Sequence, residues 1–153
     1  MKFKLLLLFI FVAFISTSCT QPEKAKDKQT ETTKNTPTVE EDFDSFLQDF
    51  NKKPTFQRQR VLFPLIATLL DPSEYSMQTV NEEIHYQEWM LLDFSYDSTF
   101  ATRQMDKYEQ LIRVYDDSTI IEQRGIDNGI YANYYFLKKE GKWYLNSFTD
   151  TSY

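Results

Sequence analysis

The chain carries one cysteine and one histidine, Cys19 and His85, so nucleophilic and metal chemistry have few residues to work with. His85 stands among Glu82, Glu83 and Glu88. An imidazole beside a carboxylate can act as a general base, because it titrates near neutrality and the acid tunes it. Asp93 is the second candidate base. The plainer reading of both is a solvated surface group, since no nucleophile or oxyanion site accompanies them in the sequence. A metal site would need oxygen ligands, and Asp93, Asp97, Asp116 and Asp117 lack the loop spacing of a calcium hand. Asp116 and Asp117 suit the tip of a hairpin. Gly125, Gly129 and Gly141 stand in turn-like contexts and form no glycine-rich phosphate cradle. No metal and no cofactor are expected.

Aromatic side chains are the richer resource, with 10 Tyr and 13 Phe. Rings with a polar tip suit a ligand pocket or a protein interface. Trp89, Tyr131, Tyr134, Tyr135, Trp143 and Tyr144 are the candidate ligand- or partner-binding residues. The competing reading is a small core that relies on large side chains for buried area, in strands where tyrosine is at home.

The cysteine sits at a telling place. Lys2 and Lys4 open the chain, residues 5–15 are apolar, and Ser16-Thr17-Ser18 leads into Cys19. That is the order of a secretory signal peptide. A helix over 5–15 rises about 16 Å, half of a bilayer core of about 30 Å, so it does not span. Ile15-Ser16-Thr17-Ser18-Cys19 resembles a lipobox, with Ser16 where a large aliphatic residue is usual. The expectation is removal of residues 1–18, acylation of Cys19 with palmitate-type chains, and a domain hung from an envelope membrane of a Gram-negative cell. The outer membrane is the expected one, with the domain facing the periplasm or the surface. Each buried methylene contributes about 0.8 kcal/mol, so several acyl chains hold firmly. The alternative is an ordinary secretory signal with Cys19 left as a free thiol. With one cysteine, no disulfide can form within the chain.

Between the anchor and the fold, residues 20–40 have Ala25 and Val39 as their only apolar side chains apart from proline. Such a stretch cannot bury enough surface to offset its ordering entropy and is expected to be a disordered tether. Its average reach is roughly 25 Å. The organisation expected is therefore signal peptide 1–18, acylated cysteine and tether 19–40, and one domain over 41–153. The charge is −6, and loss of Lys2 and Lys4 with the signal takes it to −8. An acidic chain without a basic stripe is a poor nucleic-acid binder.

The elements that must position these residues can be read in outline. Phe43, Phe46, Leu47 and Phe50 recur at i, i+3, i+4 and i+7 and predict an amphipathic helix, with acids early and Lys52-Lys53 late. Pro54 ends it, and Thr55 is expected to cap a short second helix. Residues 61–70 are apolar on both alternating faces and predict a strand covered on both sides, with Pro64 at an edge or bulge. Residues 76–84 alternate weakly as a partner strand. Short helices are expected around Trp89 and Phe100. Two hairpins follow: 111–121 about Asp116-Asp117-Ser118, and 130–148 about Lys139-Glu140-Gly141. Helices first and an antiparallel meander after them make an α+β domain.

Phe43-x-x-Phe46-Leu47-x-x-Phe50, then Phe56-Gln57-x-x-Arg60-Val61-x-Phe63-Pro64-Leu65, Trp89, and the closing Tyr135-Phe136 with Gly141-Lys142-Trp143-Tyr144-Leu145 resemble a family of secreted bacterial lipoproteins. That family carries a domain of unknown function with a nuclear-transport-factor-two-like, cystatin-like cone. The resemblance covers both ends of the domain well and the middle loosely. It implies N-terminal helices packed into the concave face of a curved antiparallel sheet. It implies no activity and no catalytic residues.

Two functions follow as expectations. The first is a non-catalytic, envelope-tethered domain that binds an envelope protein or a small ligand through its sheet or cone mouth. The second is a cone-fold enzyme of hydrolase, isomerase or lyase type, with His85 or Asp93 as base inside the cavity. A homodimer through the sheet face is a further expectation.

Overall fold

Asp42 starts the fold: its carboxylate accepts the Ser45 N–H at 2.9 Å, which caps helix α1 (Phe43–Lys52). In the computed structural model, which describes residues 40–73 and 77–153, this helix buries Phe43, Phe46, Leu47 and Phe50 on one side. The expected signal peptide, Cys19 and all of the tether but Glu40 lie outside the described residues, as does Ser76. Helix α2 (Pro54–Gln59) begins on Pro54 itself, after Lys53 and without a side-chain cap. Thr55 is therefore not the cap expected of it. Proline suits the first helical position, where an N–H has no acceptor in any case.

Strand β1 (Val61–Leu70) follows directly. It pairs with β2 (Thr79–Ile84) only from Leu65 onward, and its register against the last strand shifts between Val61 and Ile66. Pro64 falls in that irregularity, as its missing N–H requires. One face of β1 is buried through Val61, Leu65 and Ala67, while Ile66 on the other keeps 37% exposure. The strand is thus not covered on both sides.

Of the two short helices expected in the middle of the chain, one forms: α3 (Thr99–Thr102), which contains Phe100. Near Trp89 the chain makes a tight turn closed by Glu88 N–H to His85 O at 2.9 Å, then runs on without regular secondary structure. The meander follows as β3 (Tyr108–Val114), β4 (Ser118–Gly125), β5 (Tyr131–Lys139) and β6 (Lys142–Asp150). The β5–β6 turn is shorter than expected. Lys139 is still paired, and Glu140 and Gly141 alone turn the chain, at φ of 51° and 75°. Gly125 ends β4 and is not in a turn; a Cβ there would lie 1.9 Å from Asn128 Oδ1.

The sheet order is β2-β1-β6-β5-β4-β3. All pairs are antiparallel except β1 with β6, which run parallel. The expected wholly antiparallel sheet is corrected on this point. Hairpin turns force antiparallel pairing only on strands they join, and β1 meets β6 after the whole meander has intervened. The result is an α+β fold in which helices sit against one face of a curved, unclosed sheet.

Candidate functional site

The inner face of the sheet comes first, because an enzyme of this shape would work there. Along β5, Ala132, Tyr134 and Phe136 alternate inward and are buried. Phe136 stands edge-on to four rings: Phe43, Phe46, Phe50 and Phe94, at centroid distances of 5.5, 5.8, 5.7 and 5.8 Å. Leu65, Ile121, Trp143 and Leu145 complete the packing. The concave face is filled by the chain's own side chains.

Three of the six aromatic candidates are part of that filling. Trp89, Tyr134 and Trp143 keep 5%, 9% and 2% exposure, so they offer a partner little of the surface expected of them. Trp89 Nε1 donates to Gln57 Oε1 at 3.2 Å, and Trp143 Nε1 donates to Glu41 O at 2.9 Å. Burial pushes the Tyr134 phenol up to about 12.

The two candidate bases lie on the outside. His85 is exposed just past the end of β2. Its backbone N–H donates to Glu88 Oε2 at 3.0 Å, and no hydrogen bond reaches its imidazole among the described residues. Asp93 is exposed as well, and accepts the Ser95 N–H at 2.8 Å in a local turn. It edges an open cleft of about 360 Å³ with Tyr96, Asp97, Phe100 and Tyr108. Burial raises the Tyr108 phenol, against the lowering charge of Arg103. Among the described residues no second titratable group is hydrogen-bonded to the His85 imidazole or the Asp93 carboxylate, so neither side chain forms a catalytic pair. There too, no group of three His, Cys, Asp or Glu side chains is placed to hold a metal ion, and no helix is long and apolar enough to cross a membrane.

The remaining candidates lead to the outer face. Alternation along β5 points Tyr131 and Tyr135 away from the helices. Pairing lines up Glu83, Ile66, Ser147, Tyr135, Ile120 and Arg113 in one row across all six strands. Beside it runs a polar row. Glu122 accepts from Arg113 Nε at 2.8 Å and Nη2 at 3.2 Å, with Arg124 Nη2 at 3.5 Å. Those hydrogen bonds with Arg113 hold the Glu122 carboxyl below its ordinary value. Arg124 also donates to Asn133 Oδ1 at 2.7 Å and lies 4.0 Å above the centre of the Tyr131 ring. Tyr144 is half-buried at the end of the sheet, 5.3 Å beneath the Arg60 guanidinium.

Sequence reasoning named Gln57 and Arg60 only as motif positions and gave no role to them or to Arg113 and Arg124. Arg113 and Glu122 were legible in principle, since they sit on the two arms of a recognisable hairpin. Gln57 carries no signal of its own, because its four hydrogen bonds run to Phe50, Trp89 and Leu92.

No family model matches the chain, and no curated protein matches it. Solved structures do. An ntf2-like protein from Bacteroides fragilis is 23% identical with a TM-score of 0.54, over 74% of this chain and 48% of that one. The chain thus spans about half the length of that protein. A cystatin-like protein from Bacteroides caccae is 25% identical with a TM-score of 0.52, over 72% and 76%. A protein from Bacteroides uniformis is 24% identical with a TM-score of 0.52, over 71% and 75%. The fold is the nuclear-transport-factor-two-like, cystatin-like cone expected from the sequence.

Proposed function

We propose that this is a non-catalytic binding domain of the cell envelope, tethered to a membrane through acylated Cys19 and engaging a partner protein on the outer face of its sheet. The observation that carries the binding role is the division of aromatic side chains. Phe43, Phe46, Phe50, Phe94 and Phe136 fill the cone, while Tyr131 and Ile66 remain 45% and 37% exposed on the other face. Aromatic and aliphatic side chains bordered by arginines are the composition of an interface centre and its rim. The enzyme reading draws no support from His85 and Asp93, which are exposed and share no hydrogen-bonding partner among the described residues. The tether is supported by the lipobox-like run ending in the chain's one cysteine.

Two measurements test this. Mass spectrometry of protein from cells should find a diacylglycerol-bearing Cys19 at the N-terminus, and Cys19→Ala should leave the membrane fraction. A photo-crosslinking residue in place of Tyr135 in the intact chain should capture an envelope protein, where the same residue at Glu140, on the β5–β6 turn, does not. Equal capture at both positions, or none at either, would overturn the outer face as the binding surface.

A further inference from the structure

The sheet is unclosed, so both of its edges, β2 and β3, have unpaired backbone on one side. Exposed edges invite pairing unless charge or irregularity protects them. On β2 adjacent Glu82 and Glu83 are both exposed, and a second β2 laid alongside would bring like charges together. On β3, Leu111, Ile112 and Val114 are 44%, 42% and 59% exposed. Its charges are of opposite sign, Glu109 and Arg113, four residues apart.

The hydrogen-bond pattern tells which β3 groups face outward. Tyr115 N donates to Ser118 O, and Ile126 N donates to Lys107 O. Alternation in an antiparallel pair then turns the backbone groups of Glu109, Leu111 and Arg113 toward β4, and those of Gln110, Ile112 and Val114 outward. Tyr108 shares the outward phase, and its carbonyl accepts the Tyr96 hydroxyl at 3.2 Å. That contact closes the ladder at one end.

We propose that the free edge of β3 pairs antiparallel with β3 of a second copy of this chain, about a two-fold axis at Leu111. In that register Gln110 exchanges hydrogen bonds with the partner's Ile112, and Leu111 packs on the partner's Leu111. Glu109 falls opposite the partner's Arg113, on the outer face. Directly opposed residues of a non-hydrogen-bonded pair have Cα atoms about 4.5 Å apart, where opposite charges attract. Glu109 makes no ion pair among the described residues. Arg113 binds Glu122 through Nε and Nη2, which leaves Nη1 for the partner. A register one residue longer or shorter loses this match. The edge is thus self-complementary in charge, apolar contact and backbone phase together, where β2 is not. This pairing runs along the strand edge and shares Arg113 with the rim of the proposed outer-face interface.

Cysteine crosslinking of the full chain in cells tests it, with the unsubstituted chain, whose one cysteine is Cys19, as background. Under mild oxidation Leu111→Cys should give a disulfide-linked dimer on a non-reducing gel. Glu109→Cys alone should not, because its two copies would stand about 14 Å apart along the strand. Glu109→Arg added to Leu111→Cys should cut the dimer band several-fold, and a further Arg113→Glu should restore it. No band at Leu111→Cys overturns the proposal. So does an equal band at Glu109→Cys, a band with the mass of another protein, or dimer formation at Tyr135→Cys in its place.

Discussion

Gln57 is a polar side chain at 1% exposure, and its amide joins three segments. Nε2 donates to Phe50 O at 2.8 Å and Leu92 O at 2.7 Å. Oε1 accepts from Leu92 N at 2.9 Å and Trp89 Nε1 at 3.2 Å. Truncation would orphan those groups inside the protein, and each buried orphan costs about 1–3 kcal/mol. Gln57→Ala should therefore lose about 3 kcal/mol in denaturant unfolding, with Gln57→Glu also destabilising because a carboxylate cannot donate. Thr119 is the opposite case: it is fully buried and its Oγ1 has no hydrogen-bond partner among the described residues. Thr119→Val should raise stability by about 1 kcal/mol. Tyr134 sets a pH dependence. An unfolded tyrosine releases its proton near 10, while the folded one holds it to about 12. The unfolded chain thus binds fewer protons across that window, so stability intact below pH 10 falls as pH rises, by about 2–3 kcal/mol. Urea midpoints at pH 9 and 11.5 should show the fall, and Tyr134→Phe should lessen it.

At the scale of elements, one ion pair locks the start of the chain's fold to its end. The Glu41 carboxylate accepts both Nη atoms of Arg60 at 2.8 Å and the Trp143 N–H at 2.8 Å. A forked pair with an added backbone donor is stronger than a single surface contact. Glu41→Ala should cost about 2 kcal/mol in thermal or urea unfolding, and Glu41→Gln less. The hairpins were legible because period-two runs flank Asp116-Asp117 and Glu140-Gly141, a local signal. The first helix was legible because Phe43, Phe46, Leu47 and Phe50 keep its period. The parallel β1–β6 pair was not, since nothing near either strand encodes it. Trp89 read as a helix centre because single large apolar residues have no period. Of the candidate surface, Tyr131 and Tyr135 could be named but not their face. Alternation tells that two sets of residues oppose each other, and only the helices decide which set is covered.

For the whole molecule, the cone is filled by its own aromatic rings, and Phe136 is their hub. Phe136→Ala should cost about 4 kcal/mol by leaving a cavity among four rings, measurable in urea unfolding. The surfaces proposed for recognition are the sheet's outer face and its β3 edge.

Glu40 and Glu41 are fastened to the fold on several sides. Glu40 meets Lys138 Nζ at 2.7 Å, Glu41 N donates to Gly141 O at 2.9 Å, and the Glu41 carboxylate grips Arg60. A mechanical pull on the N-terminal side would be taken up as shear shared between the β5–β6 hairpin and the root of β1. The first helix would unravel only after that rivet gave way.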